Sequence, residues 1–214
     1  MNKEKISPAV VRRLPKYFRY LTVLEEKEVE KISSKELSEI TGFTASQIRQ
    51  DLNHFGGFGQ QGYGYKVSEL KKSIYEIIGL NKEYNVVIVG YGHIGKAINK
   101  YSGFDTKGFN VLGVFDLPEN SGKVEGVEVK PVDTLPKFLS NNQVDIVVLT
   151  VPKENAQEVC DMLEGKGVKG VWNFAPTDVK LKEEIPVENI HLSESLYSLI
   201  YYMGNPEQFF KHTS

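Results

Sequence analysis

Val86-Val87-Ile88-Val89-Gly90-Tyr91-Gly92-His93-Ile94-Gly95 is the stretch that fixes the reading of this chain. Four consecutive apolar residues have the character of a parallel strand buried on both faces, and a Gly-x-Gly-x-x-Gly turn follows at once. In that context each glycine has its own steric role. Gly90 makes the tight turn, Gly92 lets backbone approach a pyrophosphate, and Gly95 lets the following helix pack on the strand. That helix carries Ala97 and Ile98, and its N-terminus offers free N–H groups to an anion. Tyr91, His93 and Ile94 complete the candidate cofactor turn.

A second strand over residues 111–115 ends at Asp116, 21 residues beyond Gly95. A carboxylate there accepts hydrogen bonds from the adenosine ribose and repels a 2′-phosphate, which favours NAD over NADP, with Lys123 as the one cation that argues the other way. Further strands are expected over 144–151 and 168–173, separated by a helix over about 153–164, so the order reads as βαβ throughout. The segments Thr150-Val151-Pro152 and Asn173-Phe174-Ala175 fall at strand ends, where open α/β sheets hold ligands, and the nicotinamide half is placed beside them. The plainer alternative is that Pro152 and Pro176 only stop their strands.

The eighty residues upstream read differently. Ser7-Pro8 starts a long helix with Val10, Leu14, Tyr17, Phe18, Leu21 and Leu24 on one face, and Pro15 inside it should bend it or delay its start. Ser33-Ser34-Lys35-Glu36 has capping-box spacing and opens a short helix that turns Leu37 and Ile40 inward until Gly42. Thr44 caps a second helix over 45–55, burying Ile48, Leu52 and Phe55 and turning Ser46, Gln47, Arg49, Gln50 and Asn53 outward. Two short helices across a glycine turn form a helix-turn-helix. The outward side chains suit base edges, since Arg grips guanine and Gln or Asn grips adenine in the major groove. A surface helix in any small helical domain is the alternative at this point. Five glycines within residues 56–64, interleaved with aromatics, then read as a hairpin, the wing of a winged helix. A helix over 68–78 with Leu70, Ile74, Ile77 and Ile78 ends at Gly79, and a short linker follows.

Bulk properties agree with two modules. The chain has 214 residues, 40% hydrophobic and 25% charged, and no apolar run long enough to span a bilayer, so a cytoplasmic location is expected. The net charge of -2 hides an asymmetry: residues 1–80 hold 13 basic and 10 acidic side chains, the remainder 13 and 18. Only the first part leans toward phosphate. The single Cys160 shares a helical stripe with Ala156, Val159 and Leu163 and reads as core. His54, His93, His191 and His212 have no metal-ligand spacing, so no metal is expected. Near the end Leu196, Leu199, Ile200 and Met203 form one stripe while Tyr197, Tyr201 and Tyr202 cover much of the rest. Such a helix needs a second surface, either another copy of the chain or the chain itself.

Taken in order, these motifs resemble the Rex family of redox-sensing transcriptional repressors almost end to end. The resemblance rests on Arg13-Leu14-Pro15-Lys16-Tyr17-Phe18-Arg19-Tyr20-Leu21, Ile48-Arg49-Gln50-Asp51-Leu52-Asn53-His54-Phe55-Gly56, Gly62-Tyr63-Gly64-Tyr65, the glycine turn, Leu149-Thr150-Val151-Pro152 and Asn173-Phe174-Ala175-Pro176. It implies an α/β chain with a winged-helix DNA-binding domain over 1–80, a Rossmann NAD(H)-binding domain over 81–192, and a C-terminal helix over 193–214 swapped between subunits of a homodimer. It further implies release of palindromic operator DNA when NADH binds, and no enzymatic activity. Arg49 and its polar neighbours would read the major groove, Gln60, Gln61, Gly62 and Tyr63 would form the wing tip in the minor groove, and Arg19 and Tyr101 would couple the two sites. The chain departs from the family pattern at Gln50, Gln60 and Gln61, where basic residues are frequent, which implies a shallower salt dependence. It also has His191 where an acidic partner of the Arg19 and Tyr101 positions is expected, with Glu194 nearby. The rival from another class is an NAD-dependent dehydrogenase, which needs a substrate domain and a catalytic dyad that the chain does not display. A nucleotide-binding module whose helix-turn-helix contacts protein is the other.

Overall fold

The computed structural model describes residues 6–53, 59–60, 64–101 and 108–211, with side chains left out for 59–60 and 209–211. His54, Phe55, Gln61, Gly62, Tyr63 and His212, singled out above, therefore lie outside the described residues, as does the side chain of Gln60. The chain divides into two compact units, with boundaries at Asn81/Lys82 and, near the C-terminus, at Tyr197/Ser198.

In the first unit helix α1 (Pro8–Glu26) starts where Ser7 accepts a hydrogen bond from the Val10 amide. Its start is not delayed by Pro15, which lies on the exposed face, where water can stand in for the missing donor. Strand β1 (Lys31–Ile32) leads to α2 (Ser34–Thr41), closed at its start by the reciprocal Ser33/Glu36 capping box and at its end by left-handed Gly42. Leu37 is fully buried, but Ile40 is 37% exposed, against the expectation that both point inward. The buried stripe of α2 runs from Leu37 to Thr41, one turn apart, and leaves Ile40 on its flank.

Helix α3 (Ala45–Asn53) buries Ile48, Asp51 and Leu52. It is followed by β2 (Gly59–Gln60) and β3 (Gly64–Lys66), antiparallel to each other, with β1 on the far side of β3. Helix α4 (Val67–Ile78) ends at left-handed Gly79. Leu14, Tyr17 and Leu21 of α1 meet Leu37, Ile48, Leu52, Leu70 and Ile74 in one core. Helices and a small hairpin sheet around such a core make a winged helix, with β1 the element that periodicity did not reveal.

The second unit is a seven-stranded sheet in the order β10-β9-β8-β4-β5-β7-β6. Its strands are β4 (Tyr84–Val89), β5 (Phe109–Asp116), β6 (Gly122–Val124), β7 (Val127–Pro131), β8 (Ile146–Leu149), β9 (Gly170–Asn173) and β10 (Val187–Asn189). Strands β8 and β9 are shorter than expected, because Thr150 has already turned toward the glycine loop and β9 begins only at Gly170. All neighbours are parallel except β6 and β7. That pair corrects the reading of βαβ throughout. Glu125 and Gly126, at φ 49° and 88°, form a two-residue hairpin loop of the kind whose twist matches its strands.

Helices α5 (His93–Asn99), α6 (Leu135–Asn141) and α7 (Lys153–Asp161) connect the strands. Ile98 of α5 is buried but Ala97 is exposed. One face of the sheet buries Val87, Val89 and Leu149 against α6 and α7, including Cys160; the other buries Val86, Ile88 and Val148 with Ile98. Helices α8 (Leu192–Gly204) and α9 (Pro206–Lys211) end the described chain, and α8 has no buried residue. No described helix is long and apolar enough to cross a membrane.

Candidate functional site

Strand β4 lies at the centre of the sheet beside β8; the chain leaves β4 toward β5 on one side and leaves β8 toward β9 on the other. A crevice must open at the strand ends where those connections diverge. A cleft of about 800 Å³ is found there, lined by Gly90, Tyr91, Gly92, His93, Ile94, Asp116, Thr150, Val151, Pro152 and Phe174 among others.

The glycine turn is built by exclusion. Gly90 sits at φ 96°, and a Cβ on it would come within 2.7 Å of the Thr150 backbone. A Cβ on Gly95 would fall 2.0 Å from the Gly90 carbonyl oxygen. Gly92 has nothing within 4 Å of the place a Cβ would take. The first and third glycines are thus demanded by the fold, and the second faces space that a ligand can enter. Thr150 braces the turn, its hydroxyl lying 2.7 Å from the Gly90 carbonyl, to which it donates.

Asp116, at the end of β5, accepts the Tyr91 amide with one carboxylate oxygen and the Leu117 amide, at 2.7 Å, with the other. Its charge is thereby fixed at the rim of the turn, where ribose hydroxyls approach in sheets of this kind. Asn173, Gly95 and Ala175 do not line the cleft, and all three are buried. Asn173 works within its own loop: its amide nitrogen donates to the Thr177 carbonyl and to Asn189, and its oxygen accepts the Ala175 amide. These bonds shape the turn that brings Phe174 and Pro176 to the cleft wall.

Several lining residues escaped the motif reading. Asn155, Val159 and Met162 project from α7 and the turn after it, and Leu117, Ser121 and Val124 from the segment after β5. Only Val124-Glu125-Gly126-Val127, a turn pair between apolar residues, signalled the latter. Glu125 accepts from Lys96 at 2.6 Å and Lys100 at 2.7 Å, the first on α5 and the second at its C-terminal cap, and so pins the β6–β7 hairpin to that helix. The Lys100 ammonium, then that of Lys96, holds the Glu125 carboxyl down at about 2.

In the first unit the polar side chains expected on the outside of α3 do face outward. Ser46, Gln47, Arg49, Gln50 and Asn53 all lie on the solvent side of α3. Thr44 and Gln47 form a second capping box, with the Gln47 amide donating to the Thr44 hydroxyl at 3.1 Å and the Thr44 amide donating to the Gln47 carbonyl at 3.0 Å. Arg49 donates to the Ser34 hydroxyl at 3.0 Å. Sequence reasoning missed the buried acid behind this face: both Asp51 oxygens accept from Arg13, and Tyr17 donates to one of them, each at 2.7 Å. Of the residues expected to couple the sites, Arg19 lies 5.1 Å from the Tyr20 ring, and Tyr101 is exposed. His191 sits 3.0 Å from the Asp178 carboxylate, and Glu194 is exposed on α8.

A redox-sensing transcriptional repressor Rex from Clostridium novyi is 54% identical over 204 residues, covering 94% of this chain and 97% of the relative. The chain belongs to the Rex family of redox-sensing transcriptional repressors. The Rex protein of Thermoanaerobacter pseudethanolicus is 50% identical over 211 residues, covering 98% and 94%. Two crystal structures of RSP, a Rex-family repressor, superpose along nearly the whole chain. The complex with beta-NAD+ and operator DNA has a TM-score of 0.86 at 50% identity, over 97% of this chain and 96% of that one. The complex with beta-NADH has 0.84 at 46% identity, over 98% of each. The family model described as "Putative DNA-binding protein N-terminus" matches residues 5–53, and one described as a CoA binding domain matches 81–177. CoA and NAD share an adenosine diphosphate.

Proposed function

We propose that this Rex-family chain represses transcription by binding palindromic operator DNA as a homodimer, and that NADH in the β4 cleft releases it, so that expression follows the NADH/NAD ratio. One observation carries the reading: a single chain presents an outward polar row on α3 and a glycine turn whose middle member opens onto free space. The residues present suit the cofactor. Gly90 and Gly92 with their neighbours take the pyrophosphate, Asp116 takes the adenosine ribose, and Thr150, Val151, Pro152 and Phe174 bound the far wall. The cofactor supplies a ring that is neutral when reduced and positive when oxidised. Everything else is done by the protein, which must bind the two forms unequally in its DNA-gripping and released arrangements.

Arg49 and its polar neighbours on α3 read base edges, and the wing tip at Gln60, Gln61, Gly62 and Tyr63 enters the minor groove. Arg19, Tyr101, His191 and Glu194 carry the coupling, with the His191–Asp178 pair supplying an acid beside the position where the family pattern has one. Residues 1–80, 81–192 and 193–214 act as reader, sensor and swapped dimer helix. We read the chain as a cytoplasmic regulator and not an enzyme, in keeping with the repressor names of its relatives. Operator affinity measured across a series of NADH:NAD+ ratios tests the proposal. Affinity should fall steeply as NADH rises, and a flat response rejects it.

A further inference from the structure

Asp51 is the one charged residue on the buried stripe of α3, at 2% exposure between Ile48 and Leu52. A carboxylate so placed must be paired to stay charged. Its partners both come from α1, one turn apart. Arg13 Nε and Nη2 donate to the two oxygens as a fork, and the Tyr17 hydroxyl donates to Oδ2. Tyr17 is itself fully buried, with its ring edge-on to Phe43 at 5.6 Å. The hydrogen bond to Asp51 raises the Arg13 pKa, and burial, followed by the Tyr17 hydroxyl's own bond to Asp51, raises that of Tyr17, so both donors keep their protons.

The apolar contacts of Ile48 and Leu52 hold α3 against the core without fixing its roll, because apolar burial is non-directional. A bidentate fork is directional. With side chains ~5 to 6 Å from the helix axis, a roll of roughly 10° moves a reading atom by ~1 Å. That is enough to lose a base contact whose tolerance is ~0.5 Å. We infer that Asp51, held by Arg13 and Tyr17, is a positioning residue that sets the roll of the reading helix and so the sequence selectivity of the protein, apart from its overall grip on duplex. This rests on the repressor reading of α3. A buried pair of this kind seldom adds net stability over apolar packing, which makes geometry its better explanation.

The test uses the full-length protein with NAD+. The wild type selects its preferred duplex from a random-sequence pool, and affinity for that duplex is then compared with a scrambled one for the wild type, Tyr17→Phe, Arg13→Lys and Asp51→Asn. Tyr17→Phe keeps the ring against Phe43 and guards against simple misfolding, and NADH titration with thermal melting reports folding separately. The ratio of selected to scrambled affinity should fall about 10-fold or more in the variants, the discrimination one bidentate base contact carries. Scrambled-duplex affinity, its salt slope and NADH affinity should stay within about 2-fold of wild type, below ~0.5 kcal/mol. Arg13→Lys, which keeps charge but loses the fork, should not rescue. An unchanged ratio, or loss of both affinities in step with melting temperature, overturns the inference alone. A wild type that selects no sequence at all overturns the repressor reading and this inference together.

Discussion

Gly92 and Gly95 make opposite demands, and substitution separates them. Gly92 has an ordinary φ of -72° and open space at its Cβ position, so Gly92→Ala should leave stability within ~0.5 kcal/mol while weakening NADH binding at least ~10-fold. Gly95→Ala would place a methyl 2.0 Å from the Gly90 carbonyl oxygen, so it should cost roughly 3 kcal/mol of stability and abolish binding together. Thermal melting beside fluorescence titration of NADH distinguishes the two. The close packing at Gly95 and the open space at Gly92 were legible from spacing alone, because a strand followed by the turn leaves few backbone solutions. The use of Asn173 was not. A motif places a residue near a site, but whether its amide faces the ligand or its own loop depends on partners such as Asn189, 16 residues on. Asp51 is similar: an acid on an apolar stripe signals a buried partner, yet nothing local points to Arg13, 38 residues earlier.

Capped helices and the apolar β4 were readable because their determinants are local. The hairpin of β6 and β7 was not, since Glu-Gly is a weaker turn signal than Asn-Gly and a non-glycine residue is uncommon at φ 49°. Glu125 is held there by its two lysines. Its folded carboxyl lies at about 2 against an ordinary 4.5, so its contribution is complete above about pH 4.5 and is lost as pH falls toward 2. Glu125→Gln should therefore lower the melting temperature at neutral pH and flatten its fall across that acid window, read from melts at a series of pH values. Helix α8 makes a second case. Leu196, Leu199, Ile200 and Met203 are each more than half exposed, an apolar row that gains by being covered in water. If α8 joins two copies, Leu199→Asp should convert dimer to monomer in light scattering, while leaving NADH binding in place.

At the scale of the whole molecule the two sites are bound by reciprocity. The factor by which NADH weakens operator binding must equal the factor by which operator weakens NADH binding. Calorimetric titration of NADH with and without the selected duplex should return the same number as duplex titrations with and without NADH. Inequality would mean that more than one linked equilibrium is at work.

The chain's single sulfhydryl points to the kind of signal such a molecule can follow. Cys160 is wholly enclosed in the sheet core, and enclosure pushes its thiol up to about 11, so at neutral pH it offers peroxide almost no thiolate. Sensing through an exchangeable metabolite leaves no covalent scar. The response can reverse as fast as the metabolite dissociates, without a reductase to restore the protein, and it reports the present state of metabolism and not a history of oxidative insult.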